Sequence, residues 1–182
     1  YVEAGLLKAD LAAERESAVE QALILERLHA TPAGRKNLRL ARELAHCAAN
    51  RGDPSRALAL ELDLLNRAAL PEQAIAVARL MTAVGGREEA LGLLARSAEA
   101  WPFSAEIRSF QADLLLAAGD IRGAREALAT ILAICPEDDE TLVRMARLAG
   151  EQGDREPQIA LLREALALNP ALEKVKRQLD FL

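Results

Sequence analysis

Glycines stand at positions 52, 85, 119 and 153, separated by 33, 34 and 34 residues. Prolines at 102, 136 and 170 each follow a glycine by seventeen residues, and each closes an apolar run with helical spacing. Seven residues before every glycine is an alanine (Ala45, Ala78, Ala112 and Ala146), and five residues after come Ala57, Ala90, Ala124 and then Gln158. A period of this length holds two helices and their turns, and small residues at a fixed register let the two helices approach closely. One such unit cannot bury its apolar stripe alone, so the period requires neighbours that complete one another's core.

Local signals agree with these boundaries. Asp53, Asp120 and Asp154 follow the turn glycine and are placed to cap the second helix of each pair, while Gly86 takes that place in one unit. Pro54 sits at a first helical position and Pro157 in a first turn, where a missing N–H removes no intrahelical bond. In the last full unit Leu142, Met145, Ala146 and Ala149 form one buried stripe, and Ile159, Leu162 and Leu166 another. The unit from 38 to 70 departs from the pattern: Glu61 replaces the usual apolar residue of the second helix, and Pro71 comes two residues late. Upstream, Leu11, Ala18, Ala22 and Leu25 keep a helical spacing, with Ala18 a candidate for the small-residue position of a unit that lacks the glycine turn. Downstream, Leu172, Val175, Leu179 and either Phe181 or Leu182 are available to pack a final helix.

Three segments, AVARLMTAVGGREEALGLLARSAEAWP, FQADLLLAAGDIRGAREALATILAICP and MARLAGEQGDREPQIALLREALALNP, resemble the tetratricopeptide repeat (TPR), most strongly between Pro71 and Pro170. The resemblance implies an all-α fold: a right-handed α-solenoid of antiparallel helix pairs, the TPR superhelix. Residues 1–182 then form a single array, with a degenerate repeat at 1–36, repeats at 38–70, 71–104, 105–138 and 139–170, and a capping or truncated helix at 171–182.

Composition excludes several functions. Twenty-eight acids against 23 bases give a net charge of −5, so no basic field is present to release counterions from nucleic acid. Tyr1, Trp101, Phe103, Phe110 and Phe181 are too few and scattered to stack a row of bases. Apolar runs such as Leu114 to Ala118 reach about five residues, far short of the roughly 18 needed for a membrane span. Glu3, Lys8 and Asp10 interrupt the place where a signal peptide would be apolar, and the chain reads as a piece of a longer protein. Compartment stays open between periplasm and cytoplasm.

Chemistry-bearing residues are sparse. His29, His46, Cys47 and Cys135 are the only imidazoles and thiols, and adjacent helical residues such as His46 and Cys47 diverge by about 100°. Cys47 reads as a buried thiol and Cys135 as a small apolar residue ending a helix. The glycines lack a GK[ST] or GxGxxG context, and Glu137, Asp138, Asp139 and Glu140 lack the alternating ligands of a calcium loop. The expectation is no catalytic site, no metal and no cofactor.

The TPR resemblance implies a ligand groove lined by the first helix of each pair. Its candidates are Arg39, Arg42, His46 and Asn50; Glu72, Ile75, Arg79 and Thr82; Glu106, Ser109, Asp113 and Leu116; and Glu140, Val143, Arg147 and Glu151. Read in that order the wall grades from basic to mixed or acidic, an arrangement able to orient an extended partner. Trp101 and Phe103, flanking Pro102, are read as packing between repeats, with a partner contact as the alternative. Lysines occur only at 8, 36, 174 and 176, so the Lys/Asn clamp by which some TPR proteins grip C-terminal carboxylates is not reproduced. The expected function is a non-catalytic scaffold that binds a partner protein. A narrower resemblance, to the TPR scaffolds of bacterial Pel-type exopolysaccharide export, implies an envelope role. The alternatives are an acidic groove guiding a cationic polysaccharide and a cytoplasmic regulatory or assembly adaptor.

Overall fold

The computed structural model describes residues 1–14 and 17–182, and the described residues form twelve α-helices and no strand. In chain order these are α1 (Val2–Glu14), α2 (Ala18–His29), a single-turn α3 (Pro32–Lys36), α4 (Leu38–Asn50), α5 (Pro54–Arg67), α6 (Pro71–Ala83), α7 (Arg87–Ala100), α8 (Ala105–Ala117), α9 (Ile121–Ile134), α10 (Asp139–Glu151), α11 (Arg155–Leu168) and α12 (Glu173–Phe181). Two compact units divide the chain, Tyr1–Leu93 and Leu94–Leu182.

Each helix pair from α4 onward is joined by the recurring glycine, and the backbone explains the recurrence. Gly52, Gly85, Gly119 and Gly153 have φ of +78°, +91°, +81° and +81°. This left-handed conformation costs an L-residue with a Cβ roughly 1–2 kcal/mol, so glycine is the default there. The alanines in register with them, Ala45, Ala78, Ala112 and Ala146 before and Ala57, Ala90 and Ala124 after, are all buried. Gln158, the exception, is buried as well.

Caps set the helix starts. The Asp53 carboxylate accepts from the Arg56 N–H at 3.0 Å and that of Asp120 from the Gly123 N–H at 2.9 Å. Asp154 holds the N-cap position of α11 without a side-chain cap bond; its carboxylate lies 3.7 Å from Arg125 instead. The expected cap there is replaced by an ion pair to the preceding helix pair.

In the first unit the core gathers Leu6, Ala9, Ala22, Leu25, Leu28, Leu40, Leu44 and Cys47. Leu11 and Ala18, expected on the buried stripe, are exposed. Ala18 is the first residue of α2, and the stripe of that helix begins one turn later at Ala22. The small residues that let α1 and α2 approach are Ala9 and Ala22.

In the second unit one cluster joins Ala112, Ala124, Ala127, Leu128, Ile131 and Leu148, and another joins Ala146, Leu162 and Val175. Leu172, Leu179 and Leu182 pack on the latter while Phe181 is 89% exposed, which decides between the two terminal residues. Phe103 is 81% exposed and Trp101 half-buried, so the expected packing at this junction involves the indole alone. Phe103 lies in the turn before Ser104, whose hydroxyl accepts from the Ile107 N–H and starts α8.

Candidate functional site

Helix α4 begins at Asn37, whose side-chain oxygen accepts from the Leu40 N–H at 2.9 Å. From that start the helical period sends Leu40, Ala41, Leu44, Ala45 and Ala48 inward and leaves Arg39, Arg42, His46 and Asn50 exposed. Helix α6 starts with Pro71 at its first position and buries Gln73, Ala74, Val77 and Ala78, leaving Glu72 and Arg79 exposed.

Between these helices and α5 lies an open groove of about 620 Å³, lined by Arg42, Glu43, Ala45, His46, Ala49, Glu61, Ala76, Arg79 and Leu80. Alanines from α4 and α6 supply much of its floor. Three residues expected at a binding surface, Arg42, His46 and Arg79, are brought together here with exposed side chains. The His46 ring meets the Asn50 amide at 3.0 Å, one turn along α4. Arg39, on the same helix, is turned toward Asp10 at 3.3 Å and does not line the groove.

Two carboxylates in this groove were not among the expected ligand contacts: Glu43 and Glu61, both half-buried. Burial pushes the Glu61 carboxyl above the ordinary glutamate range, and the Arg42 guanidinium pulls it partly back. No hydrogen bond or ion pair links the Glu61 carboxylate to another described residue. The signal available in sequence was its place in the register, nine residues after the turn glycine, where the other units carry Leu94, Leu128 and Leu162. Those three leucines are at most 1% exposed.

The expected residues on α8 and α10 belong to the second unit, and several of them are engaged there. Glu106 accepts from the Ser104 hydroxyl at 3.0 Å, Asp113 pairs with Arg144, and Arg147 meets Glu151 at 3.2 Å. Glu140 is exposed at the start of α10. Ile75, Thr82, Ser109, Leu116 and Val143 are half-buried, and the Thr82 hydroxyl donates to the Ala78 carbonyl of its own helix at 2.8 Å.

A second cavity of about 220 Å³ in the first unit is lined by Ala22, Glu26, Leu44, Cys47, Ala48, Arg51, Asp53 and Arg56. Burial raises the Cys47 thiol pKa, with Arg51 opposing the rise and Glu26 adding to it, which favours the protonated thiol over the thiolate. Cys135 is exposed. Among the described residues no group of three or more His, Cys, Asp or Glu is placed to hold a metal ion, and no helix is long and apolar enough to cross a membrane.

No family model matches the chain, and no curated protein matches it in sequence. Solved structures do match in fold. A MamA protein superimposes with a TM-score of 0.75 at 13% identity, covering 95% of this chain and 94% of that one. A MamA fragment from Desulfovibrio magneticus RS-1 gives 0.73 at 14% identity, covering 94% and 97%. YrrB, described as a TPR protein with an unusual peptide-binding site, gives 0.68 at 12% identity, covering 96% and 89%. The fold is of the TPR type. Identities this low speak to architecture and leave ligand and client to be argued from the residues.

Proposed function

We propose that this chain is a non-catalytic scaffold that binds an extended segment of a partner protein, using the surface presented by α4 and α6. The observation that carries this reading is the groove between α4, α5 and α6, where the exposed side chains of Arg42, His46 and Arg79 rim an apolar floor. A volume of about 620 Å³ is within the range of small-ligand sites and accommodates several residues of an extended peptide. Backbone carbonyls and acidic side chains of such a peptide are natural acceptors for the two guanidiniums. The peptide-binding site named for YrrB, a protein of the same fold, supports the class of ligand.

A cationic polysaccharide is disfavoured by the same groove, since it sets Arg42 and Arg79 against Glu43 and Glu61 and is therefore no acidic trough. The narrower resemblance to exopolysaccharide export scaffolds draws no support from these residues. The test is selection of random peptides on the immobilised protein, with Arg42→Glu/Arg79→Glu as comparison. Peptides retained by the parent and released by a variant of unchanged melting temperature support the reading. Failure to select any peptide, or equal retention by both proteins, overturns it.

A further inference from the structure

We infer that Glu61 is a recognition residue for a basic side chain: the groove takes a partner segment in which a lysine or arginine stands beside an acidic residue. The inference rests on the peptide-binding reading above and specifies its ligand.

Glu61 departs from the register of the repeats. In the other three units the residue nine positions after the turn glycine is a leucine sealed in the core, Leu94, Leu128 or Leu162. At the same place in α5, Glu61 lines an open groove. A carboxylate at a core position breaks the local rule that the rest of the array obeys, and such departures are expected at functional sites.

That carboxylate also has an unmet demand for a partner. The Glu61 side chain is half-buried and its carboxylate has neither a hydrogen bond nor an ion pair with the described residues, although Arg42 is close enough to act on it electrostatically. A partly desolvated carboxylate without a partner gains more from an incoming donor than an exposed one does, because its desolvation is already in place. The titratable and charged groups that line the groove with it are Arg42, Glu43 and His46 from α4 and Arg79 from α6. The two arginines are exposed at the rim, where solvent screens their repulsion of a cation.

Such a ligand fits both levels of the site. A lysine or arginine stem is apolar and lies on Ala45, Ala49, Ala76 and Leu80, carrying its charged head to Glu61. The acidic neighbour then meets Arg42 and Arg79 at the rim. An all-acidic segment would leave Glu61 unpaired, and an all-basic one would face the two guanidiniums.

The test is random-peptide selection on the protein and on Glu61→Gln in parallel, followed by titration of one selected peptide and its lysine-to-norleucine analogue. The expected result is enrichment of a basic residue beside an acidic one on the parent and its loss on Glu61→Gln. Norleucine should weaken binding to the parent about tenfold or more and leave binding to Glu61→Gln unchanged. Selected peptides without that enrichment, or an equal norleucine effect on both proteins, overturn the inference and leave the peptide-binding reading standing. No selected peptide at all overturns both. Circular dichroism melting of Glu61→Gln verifies that a lost preference reflects a folded variant.

Discussion

Gly150 of α10 leaves open the space that the side-chain amide of Gln158 occupies from α11: a Cβ at position 150 would overlap the Gln158 Nε2. The pair replaces the usual solution at this crossing, an alanine five residues after the turn glycine, with a larger residue and a compensating hole. Gly150→Ala alone gains helix propensity of up to about 1 kcal/mol but forces the Gln158 amide out of its place. In a Gln158→Ala background that conflict is gone. Thermal melts of the four proteins should show Gly150→Ala more favourable in the second background, with a coupling of about 0.5–2 kcal/mol. Additive effects would mean that the two side chains do not share this space.

Leu128 and Leu162 occupy the same register and are both sealed in the second unit's clusters. Truncation to alanine removes buried methyl groups and leaves a cavity, at a cost of about 2–5 kcal/mol for each. Chemical denaturation should show a lower midpoint for each variant. A midpoint unchanged from the parent would place these residues outside the core.

Glu61, at the equivalent position in the first unit, should behave in the opposite sense. Burial holds its folded-state pKa above the ordinary glutamate value, so the folded protein binds this proton more tightly than the unfolded chain. Stability from this group is therefore present at acid pH and is lost as pH rises through the raised pKa. Glu61→Gln abolishes that loss. The melting temperature of the variant relative to the parent should rise between about pH 4 and pH 7. A difference constant across this window would show that the carboxylate titrates normally.

How much of this was legible in the sequence follows from what repeats and what does not. The glycine turns, the alanine contacts and the helix pairs from α4 to α11 recur, and a recurring residue type reports a recurring geometry. Helix α3 occurs once. Its start at Thr31, whose hydroxyl accepts from the Gly34 N–H at 3.0 Å, and Pro32 in the first position are ordinary cap signals that no period reinforces. The groove was half legible. Arg42, His46 and Arg79 follow from the register of the first helix in each pair, whereas Glu61 belongs to the second helix and registered only as a departure from it. Arg144 was missed for a different reason: it lies on the first helix of its pair but between the counted positions, yet its Nη1 donates to Ser109 at 2.6 Å and its other nitrogen pairs with Asp113.

That tie makes Asp113 a structural residue in the unliganded protein. Asp113→Asn and Arg144→Ala should each cost about 1 kcal/mol, reduced at high salt because the Asp113 carboxylate is exposed. Melts at low and high ionic strength give the comparison. An Arg144→Ala variant as stable as the parent in both would reduce the contact to a surface coincidence.

His29 provides a stability change near neutral pH with a definite sign. Burial lowers its pKa, and Arg56, Arg35 and Arg67 lower it further, while Asp63 opposes them. Its folded-state pKa thus lies below that of the unfolded chain, so between the two values the unfolded chain binds more protons and stability rises with pH. As pH falls through the ordinary histidine value of about 6.5 toward the lowered one, the contribution of this group is lost. Replacement by asparagine removes a titrating group and retains a polar one. The His29→Asn melting curve should therefore vary less between about pH 7.5 and pH 5 than that of the parent. Since Glu61 acts with the opposite slope at lower pH, the comparison should be repeated in the Glu61→Gln background. A parent and variant with parallel profiles there would show that the imidazole is not held neutral by its buried position and its arginine neighbours.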